Sequence, residues 1–469
     1  MSASTAPRSP AAELHRLRLL EGPILSTLIT MAWPTFVQMI MFSFVVLLEV
    51  WFIGKLGVVS LAGASLVSPA VFLMQAMAGG GMGGAVTATI AKAAGGGNKE
   101  KVQSLAWHAI LVSLACGLMF SVVMVACGPW FYHLLGGSGD VLNAALQYSD
   151  VMFIAAPLMW LVIILSAILR GLGVVKVQAV ITIGTSLLLL PLSPILIFGF
   201  GLVPALGMRG AAIAVICYYA LAAVMYFRYL SKENSVIKLR LQSLVLSRKD
   251  FASILKLGSV SSLLAVQSHV TTLIITGLVG GFGTMVLAGF GAAARLQQVI
   301  DPFLFSVGTA TVMTVATCVG AGHVERARKV AMAAALAATV FCGLVGGLAA
   351  LFPHLWVGQF SQESEVIAAG SLYLRIMGPF YWCIGLGLIL YYCSQGIGLM
   401  RWSYAGSLLR LAIVSIIGTA TVHAFHADIA SLYWIMASGM VVSCAVTVLG
   451  IMCSDWKPLA ITRGLKGAT

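Results

Sequence analysis

The chain has 469 residues, of which 60% are hydrophobic and 9% are charged, and its mean hydropathy is +1.02. A soluble chain carries about 25% charged residues, so this composition excludes a soluble enzyme and predicts an all-α, polytopic membrane protein. The net charge of +13 would also suit a nucleic-acid-binding protein, but the positions of the basic residues indicate otherwise.

Twelve apolar spans follow one another along the chain, separated by charged or glycine-rich breaks. Each is long enough to cross the roughly 30 Å of hydrocarbon in a bilayer. They cover residues 24–50, 61–91, 104–128, 143–169, 178–200, 208–230, 252–278, 284–318, 328–352, 366–395, 402–424 and 428–452. We therefore expect twelve transmembrane helices.

The basic residues mark one side of this arrangement. With the N-terminus inside, 22 of the 27 Lys and Arg residues fall on the same side, and the opposite loops hold only Lys55 and Arg209. The positive-inside rule then places both termini in the cytoplasm. We interpret the surplus charge as a topology signal that also contacts anionic membrane lipid, and we expect no nucleic-acid partner.

The sequence also repeats itself. GKLGVVSLAG at 54–63 matches GGFGTMVLAG at 280–289 at five of ten positions. GGGNKEK at 95–101 matches GAGHVER at 320–326, and ILRGLGVVK at 168–176 matches YCSQGIGLMR at 392–401. The three matches keep the same order at offsets of 225–226 residues, which indicates an internal duplication.

The duplication predicts two pseudo-symmetric six-helix bundles around a central cleft. Because six spans return the chain to its starting side, both bundles have the same orientation, which is an arrangement that suits alternating access. The expected divisions are a cytoplasmic tail (1–21), an N-terminal lobe (22–230), a cytoplasmic connecting loop (231–251), a C-terminal lobe (252–457) and a second cytoplasmic tail (458–469).

Three segments resemble the multidrug and toxic compound extrusion (MATE) transporters, in particular their DinF-like bacterial branch. They are the first span, AWPTFVQMIMFSFVVLLEVWFIGKLG, the junction SPILIFGFGLVPALGMRGAAIA at 193–214, and LRGLG at 169–173. The resemblance implies a multidrug efflux transporter of the bacterial inner membrane that works as a monomer. It also implies that an H⁺ or Na⁺ gradient drives transport, without a cofactor.

The sequence departs from the family pattern at several acidic positions. Leu189 and Ser193 stand where the family's fifth span commonly carries Asn and Asp. Spans seven and ten also lack the carboxylates of other branches; Gln267 and Ser268 lie near the first of these positions. A single protonatable acid favours coupling to H⁺, whereas a site rich in oxygen ligands would favour Na⁺.

Glu49 is the main candidate for the coupling site. In the resemblance it stands where the family usually has Asp, and Pro34 matches a helix-bending proline. Ionising a carboxyl group in an apolar cavity costs several kcal/mol, so burial favours the protonated form. Proline removes a backbone hydrogen bond and allows the helix to bend. The alternative is an interfacial carboxylate near Trp51 that pairs with Lys55 or with water.

Asp301 is the second candidate for the coupling ion, and it lies directly before Pro302, a second possible bend. Arg295 precedes it by six residues, which corresponds to about 240° around a helix, so the two side chains do not face each other. The alternative is a structural ion pair or a helix-break residue. Six polar residues in the spans are expected to line the substrate cavity: Gln38, Gln75, Ser193, Gln267, Arg295 and Gln298.

The sequence contains no motif for metal binding, phosphate binding or catalysis. The nine cysteines lack metal-ligand spacing, and no zinc site is expected. The glycine run AGGGMGG at 78–84 lacks the Gly-Lys-Ser/Thr ending of a phosphate-binding loop and favours close helix packing or a bend. The sequence contains no set of residues typical of a hydrolase active site, so we expect no enzyme activity.

Two functions are compatible with this sequence. The first is secondary active export of amphipathic or cationic small molecules by antiport with H⁺ or Na⁺. The second is a flippase for a lipid-linked oligosaccharide or a related lipid, which would need several basic residues in its cleft. The arginines within spans are Arg295, Arg375 and Arg410, and all three lie in one half of the chain.

Overall fold

The computed structural model describes residues 17–201, 203–232, 247–424, 427–454 and 456. Most of the expected tail 1–21, most of the connecting loop 231–251 and all of the tail 458–469 lie outside the described residues.

The described chain is helical because backbone amides and carbonyls in hydrocarbon must hydrogen-bond within their own segment. The helices are α1 Ile24–Lys55, α2 Val58–Gly95, α3 Lys99–Leu134, α4 Gly139–Ile154, α5 Ala156–Gly171, α6 Val175–Phe198, α7 Gly207–Ser231, α8 Arg248–Gly280, α9 Thr284–Gly320, α10 Val324–Leu351, α11 Pro353–Val357, α12 Ser364–Ile397, α13 Arg401–His423 and α14 Ile429–Met452. Eleven of these are long and apolar enough to span a membrane, and α4 and α5 together supply a twelfth span. The predicted all-α, polytopic class is confirmed.

The fourth span, predicted over 143–169, consists of two helices. It bends by 54° between α4 and α5. Pro157 lies in the first turn of α5, where a missing amide hydrogen costs nothing, so a new helix starts there readily. A Cβ added to Gly117 of α3 would lie 2.5 Å from the Cα of Pro157, so α3 packs closely against the bend.

The described residues form two compact units. The N-terminal unit is built from Trp33–Ser262, and the C-terminal unit from Leu19–Ala32 and the chain from Leu263 onward. The change of unit within α1 falls directly before Pro34. Arg326 at the start of α10 donates hydrogen bonds to the carbonyls of Leu19 and Gly22, which ties the segment before α1 to the C-terminal unit.

The internal repeat has a counterpart in the backbone of each unit. Three pairs of glycines with positive φ stand 225–226 residues apart: Gly57 and Gly283, Gly97 and Gly322, and Gly173 and Gly398. Positive φ is readily available only to glycine, so the repeated glycines end or join helices in the same way in both units.

The repeat also preserves a helix contact. In the N-terminal unit, a Cβ on Gly171 would lie 2.9 Å from the carbonyl oxygen of Thr87. In the C-terminal unit, a Cβ on Gly396 would lie 3.1 Å from the carbonyl oxygen of Val312. Both members of the second pair are 225 positions after those of the first. Small residues at equivalent positions therefore allow the same close approach of two helices in each unit.

A polar cluster holds the start of α8 against α3 within the N-terminal unit. Asp250 pairs with Lys101 and accepts a hydrogen bond of 2.6 Å from Ser104 Oγ. The backbone amide of Ser247 donates to His108 Nε2 at 2.9 Å. Asp250 is buried while Lys101 remains largely accessible, so the carboxylate depends on these partners more than the ammonium does.

Replacing Asp250 by Asn should lower the free energy of unfolding by about 2 kcal/mol, the usual value for a charge-assisted hydrogen bond. Removing the charge also leaves Lys101 without its partner. The apparent melting temperature of the purified protein measures the effect. Glu100→Gln is the matched control, because Glu100 is exposed in the first turn of α3. Equal melting temperatures for the two variants would contradict the stabilising role.

Candidate functional site

Glu49 lies six residues before the end of α1, in the N-terminal unit. Glu49 as a whole is half-buried, but its Oε1 atom is buried and has no hydrogen-bond partner in the part of the chain that the structure describes. Lys55, which the alternative interpretation paired with it, lies instead over the ring of Trp51 at 5.1 Å. A carboxylate without a cation or donor in an apolar environment is costly in its ionised form, so this site favours the neutral acid.

Ser193 faces the same narrow pocket as Glu49. It belongs to the second half of α6, after a break at Leu187 and Leu188, and is 1% exposed. Its Oγ is also buried without a hydrogen-bond partner. The pocket has about 150 Å³ of empty space but leaves no room for a water molecule in this conformation. Its apolar walls are Val45, Leu48, Phe52, Leu189 and Leu190.

Two tyrosines from other helices complete the surroundings of Glu49. Tyr148 of α4 and Tyr219 of α7 are both buried and lie within electrostatic range of the Glu49 carboxyl group. Neither tyrosine was among the residues predicted for the site. The available signal was the presence of phenol hydroxyls within apolar spans, because a buried tyrosine hydroxyl usually needs a partner.

Gln38 lies in a different environment, a buried polar network of the N-terminal unit. Gln178 Nε2 donates to Gln38 Oε1 at 2.7 Å and lies 2.9 Å from Ser166 Oγ. Arg170 Nη1 donates to the same Ser166 oxygen at 2.8 Å and is 5% exposed. Arg170 was counted from the sequence among the cytoplasmic topology residues, yet here it stabilises the interior of the unit.

Asp301 occupies α9 of the C-terminal unit and is exposed. Its carboxylate accepts a hydrogen bond from Gln297 on the same helix. Arg295 lies over the ring of Phe360 at 5.2 Å. Asp301 and Arg295 therefore have different neighbours, as expected from the rotation of about 240° between them around the helix. The carbonyl of Pro302 accepts a hydrogen bond from Ser306 Oγ, so the helix continues through the proline.

The remaining expected cavity residues are dispersed. Gln75 is half-buried and directly precedes a π-helical segment, Ala76–Gly83, which contains most of the glycine run. Gln267 is buried, and neither of its amide atoms has a hydrogen-bond partner. Gln298 is exposed on α9. Of the predicted site residues, the structure brings Glu49 and Ser193 to one pocket.

The described part of the chain contains no set of metal ligands. Within these residues no three or more His, Cys, Asp or Glu side chains are grouped closely enough to hold a metal ion. All nine cysteines are described, and each is a free thiol.

These features define the class of protein. The chain is a multi-pass α-helical membrane protein with a duplicated helical unit, and its spans contain isolated ionisable residues. That combination is characteristic of secondary transporters.

A family model described as MatE matches residues 34–195 and 265–421, which is more than half of the chain. The chain therefore belongs to the MATE family of transporters, which are not enzymes. The match begins at Pro34 and covers the Glu49 and Asp301 positions.

Relatives and solved structures agree with this assignment. The multidrug export protein MepA of Staphylococcus aureus is 22% identical over 84% of this chain and 86% of its own. The FAD transporter of Shewanella oneidensis is 23% identical over 79% of this chain and 82% of its own. A structure of MATE in the bent conformation is 21% identical, with a TM-score of 0.85 over 95% of this chain and 98% of that one. The structural likeness establishes the same fold.

Proposed function

We propose that this protein exports amphipathic or cationic small molecules across the bacterial inner membrane by alternating access, in exchange for H⁺. The observation that supports the proposal most strongly is Glu49, whose Oε1 atom is buried in the N-terminal unit and whose carboxyl group has no ion-pair partner among the described residues. The name of the Staphylococcus relative, a multidrug export protein, supports export as the direction of transport.

Glu49 couples the proton and the cationic substrate because the two compete for its carboxyl group. A proton neutralises the carboxyl group, and the narrow pocket then contains no charge. Loss of the proton creates a buried anion, which attracts a cationic substrate when the site opens. Substrate and proton thus stabilise different states of one group, which is the requirement for exchange.

The choice of H⁺ over Na⁺ rests on the ligands and on the space around Glu49. Sodium needs several oxygen ligands and room for the ion, whereas a proton needs neither. Ser193 contributes one hydroxyl where the family pattern has a second carboxylate, and the pocket has no room for a water molecule. Exchange for Na⁺ is the alternative within this proposal.

The flippase alternative requires several basic groups around one phosphate-binding site. Arg295 lies over Phe360, and Arg375 is exposed on α12. Arg410 is a neighbour of Tyr373. These different surroundings favour the exporter. We further propose that the protein is a monomer with both termini in the cytoplasm and that it needs no cofactor or nucleic-acid partner.

Dye efflux from inverted membrane vesicles tests the proposed function. An imposed pH gradient should drive accumulation of ethidium by the wild-type protein, and a Na⁺ gradient of the same size should not. Vesicles without the protein provide the background. Accumulation driven by Na⁺ alone would replace the proton with sodium, and indifference to both gradients would reject secondary antiport.

A further inference from the structure

Arg410 is a cation within the membrane-spanning helix α13. It lies nine residues into α13, which corresponds to about 14 Å from the helix start. Its Nε atom is buried and has no hydrogen-bond partner, and in the described part of the chain no carboxylate lies within ion-pair distance of its guanidinium. An unpaired charge within a membrane raises the free energy of the protein, so it indicates a functional site whose counter-ion comes from a bound molecule.

The side chain is directed into the C-terminal unit. A Cβ added to Gly439 of α14 would lie 3.6 Å from Arg410 Cγ, so the aliphatic stem packs over this glycine. Arg410 as a whole is half-buried. The glycine on the facing helix makes space for the arginine stem, and part of the residue stays accessible.

Tyrosine hydroxyls surround the same location. Tyr373 of α12 lies within electrostatic range of both Arg410 and Tyr433. The rings of Tyr373 and Tyr433 are 5.2 Å apart and nearly perpendicular. Tyr433 is 0% exposed, and its hydroxyl has no hydrogen-bond partner. Arg410 and Tyr433 therefore each present an unused donor next to Tyr373.

Two tyrosines connect the surroundings of Arg410 with an acid of α9. Tyr373 shares a hydrogen bond with Tyr381, and Tyr381 lies within electrostatic range of Asp301. Asp301 has Gln297 as its own partner. The acid and the base thus lie beside different members of a hydrogen-bonded tyrosine pair, and the buried Nε of Arg410 and hydroxyl of Tyr433 have no acceptor among the described residues.

The backbone next to Arg410 is also unusual. The segment Ile413–Gly418, which begins three residues later, is π-helical. Short π-helical segments within α-helices occur frequently at functional sites because they reposition side chains. This feature is independent of the unused donors and points to the same part of α13.

We propose that Arg410, with Tyr373 and Tyr433, binds an anionic group of the transported molecule, either a carboxylate or a phosphate. The planar guanidinium offers paired donors that match the two oxygens of such a group. This inference rests on the proposed function and names the residues that recognise an acidic group of the transported molecule. The phosphate of an anionic lipid has the same chemistry and is distinguished by experiment.

Paired transport assays test the site. Purified protein is reconstituted into phosphatidylcholine vesicles, with and without phosphatidylglycerol, and a pH gradient is imposed. Norfloxacin carries a carboxylate, whereas ethidium is a permanent cation without an anionic group. Arg410→Gln should lower norfloxacin transport about tenfold or more, the equivalent of losing one charge-assisted hydrogen-bonded pair, and change ethidium transport by less than about twofold.

Three further variants complete the test: one is a control, and two measure the contributions of Tyr433 and of the guanidinium geometry. Arg375→Gln removes an exposed arginine from α12 and should leave transport of both probes unchanged. Tyr433→Phe should lower norfloxacin transport about fivefold, because it removes one neutral donor. Arg410→Lys keeps the charge but loses the paired geometry, so it should fall between wild type and Arg410→Gln.

The outcomes separate this inference from the proposed function. Equal losses of both probes in Arg410→Gln would overturn the anion site and indicate a structural arginine. Loss of a phosphatidylglycerol effect in Arg410→Gln, with the ratio of the two probes unchanged, would assign the arginine to lipid instead. If the wild-type protein transports neither probe, the proposed function fails. Norfloxacin binding to the detergent-purified protein then decides the anion site, with at least about tenfold weaker binding expected for Arg410→Gln.

Discussion

Vesicles containing the Glu49→Gln variant should accumulate ethidium under a pH gradient no faster than vesicles without the protein. Glutamine has nearly the same volume as glutamic acid, so the narrow pocket next to Ser193 stays filled. It cannot lose a proton, however, and therefore cannot alternate between the neutral and the anionic state. The variant should be inserted in the membrane in the same amount as the wild type.

Two further variants make the Glu49 result specific. Glu49→Asp keeps a titratable carboxyl group and should retain part of the transport activity. Glu363→Gln removes an exposed carboxylate before α12 and should behave as wild type. Full activity of Glu49→Gln, with normal expression, would remove Glu49 from the coupling mechanism.

A valine at Gly289 should prevent the C-terminal unit from packing normally. A Cβ at this position would lie 2.6 Å from the carbonyl oxygen of Val366 and 2.7 Å from the amide nitrogen of Gly370, and these backbone atoms cannot move independently of α12. We expect a loss of about 3 kcal/mol, because the contact between α9 and α12 must open. The apparent melting temperature should then fall by about 10 °C.

Gly291 provides the matched control on the same helix. Nothing lies within 4 Å of a Cβ added there, and the residue is exposed. Gly291→Val should therefore change the melting temperature by no more than about 2 °C, since a surface substitution costs about 0.5 kcal/mol or less. A Gly289→Val protein as stable as Gly291→Val would contradict the packing.

The repeated glycines show how much of the fold could be predicted. Gly63 and Gly289 are equivalent in the repeated sequence, and each packs against the fourth span of its own half. A Cβ on Gly63 would lie 2.9 Å from Ala144 Cβ, as Gly289 meets Val366 and Gly370 in the C-terminal unit. The sequence carries this information because close helix contact restricts the residue type directly.

The bend at Ala155 and the tyrosines around Glu49 were less accessible from the sequence. Pro157 is compatible with a helix start, but hydropathy runs through it without interruption, so one span was predicted over 143–169 and the bend was not. Tyr148 and Tyr219 come from different helices, and only their packing brings them near Glu49. Periodicity and composition describe each helix separately and contain no information on which faces meet.

Arg170 and Arg410 illustrate the same limit for charged residues. Arg170 lies near the end of its span, and its position alone agreed with a cytoplasmic location. Its burial depends on Ser166, one turn earlier on the same helix, together with Gln178 on α6. The sequence identified Arg410 as an intramembrane charge, but the tyrosines that surround it required the fold.

Proton release upon substrate binding tests the central claim most directly. Purified protein is kept in a lightly buffered detergent solution that contains a pH-sensitive dye. The starting pH is set so that Glu49 is protonated, and ethidium is then added. The wild type should release a proton for each ethidium molecule bound, and Glu49→Gln should release none. Ethidium binding to the wild type without proton release, or equal release by both proteins, would contradict competition between proton and substrate at Glu49.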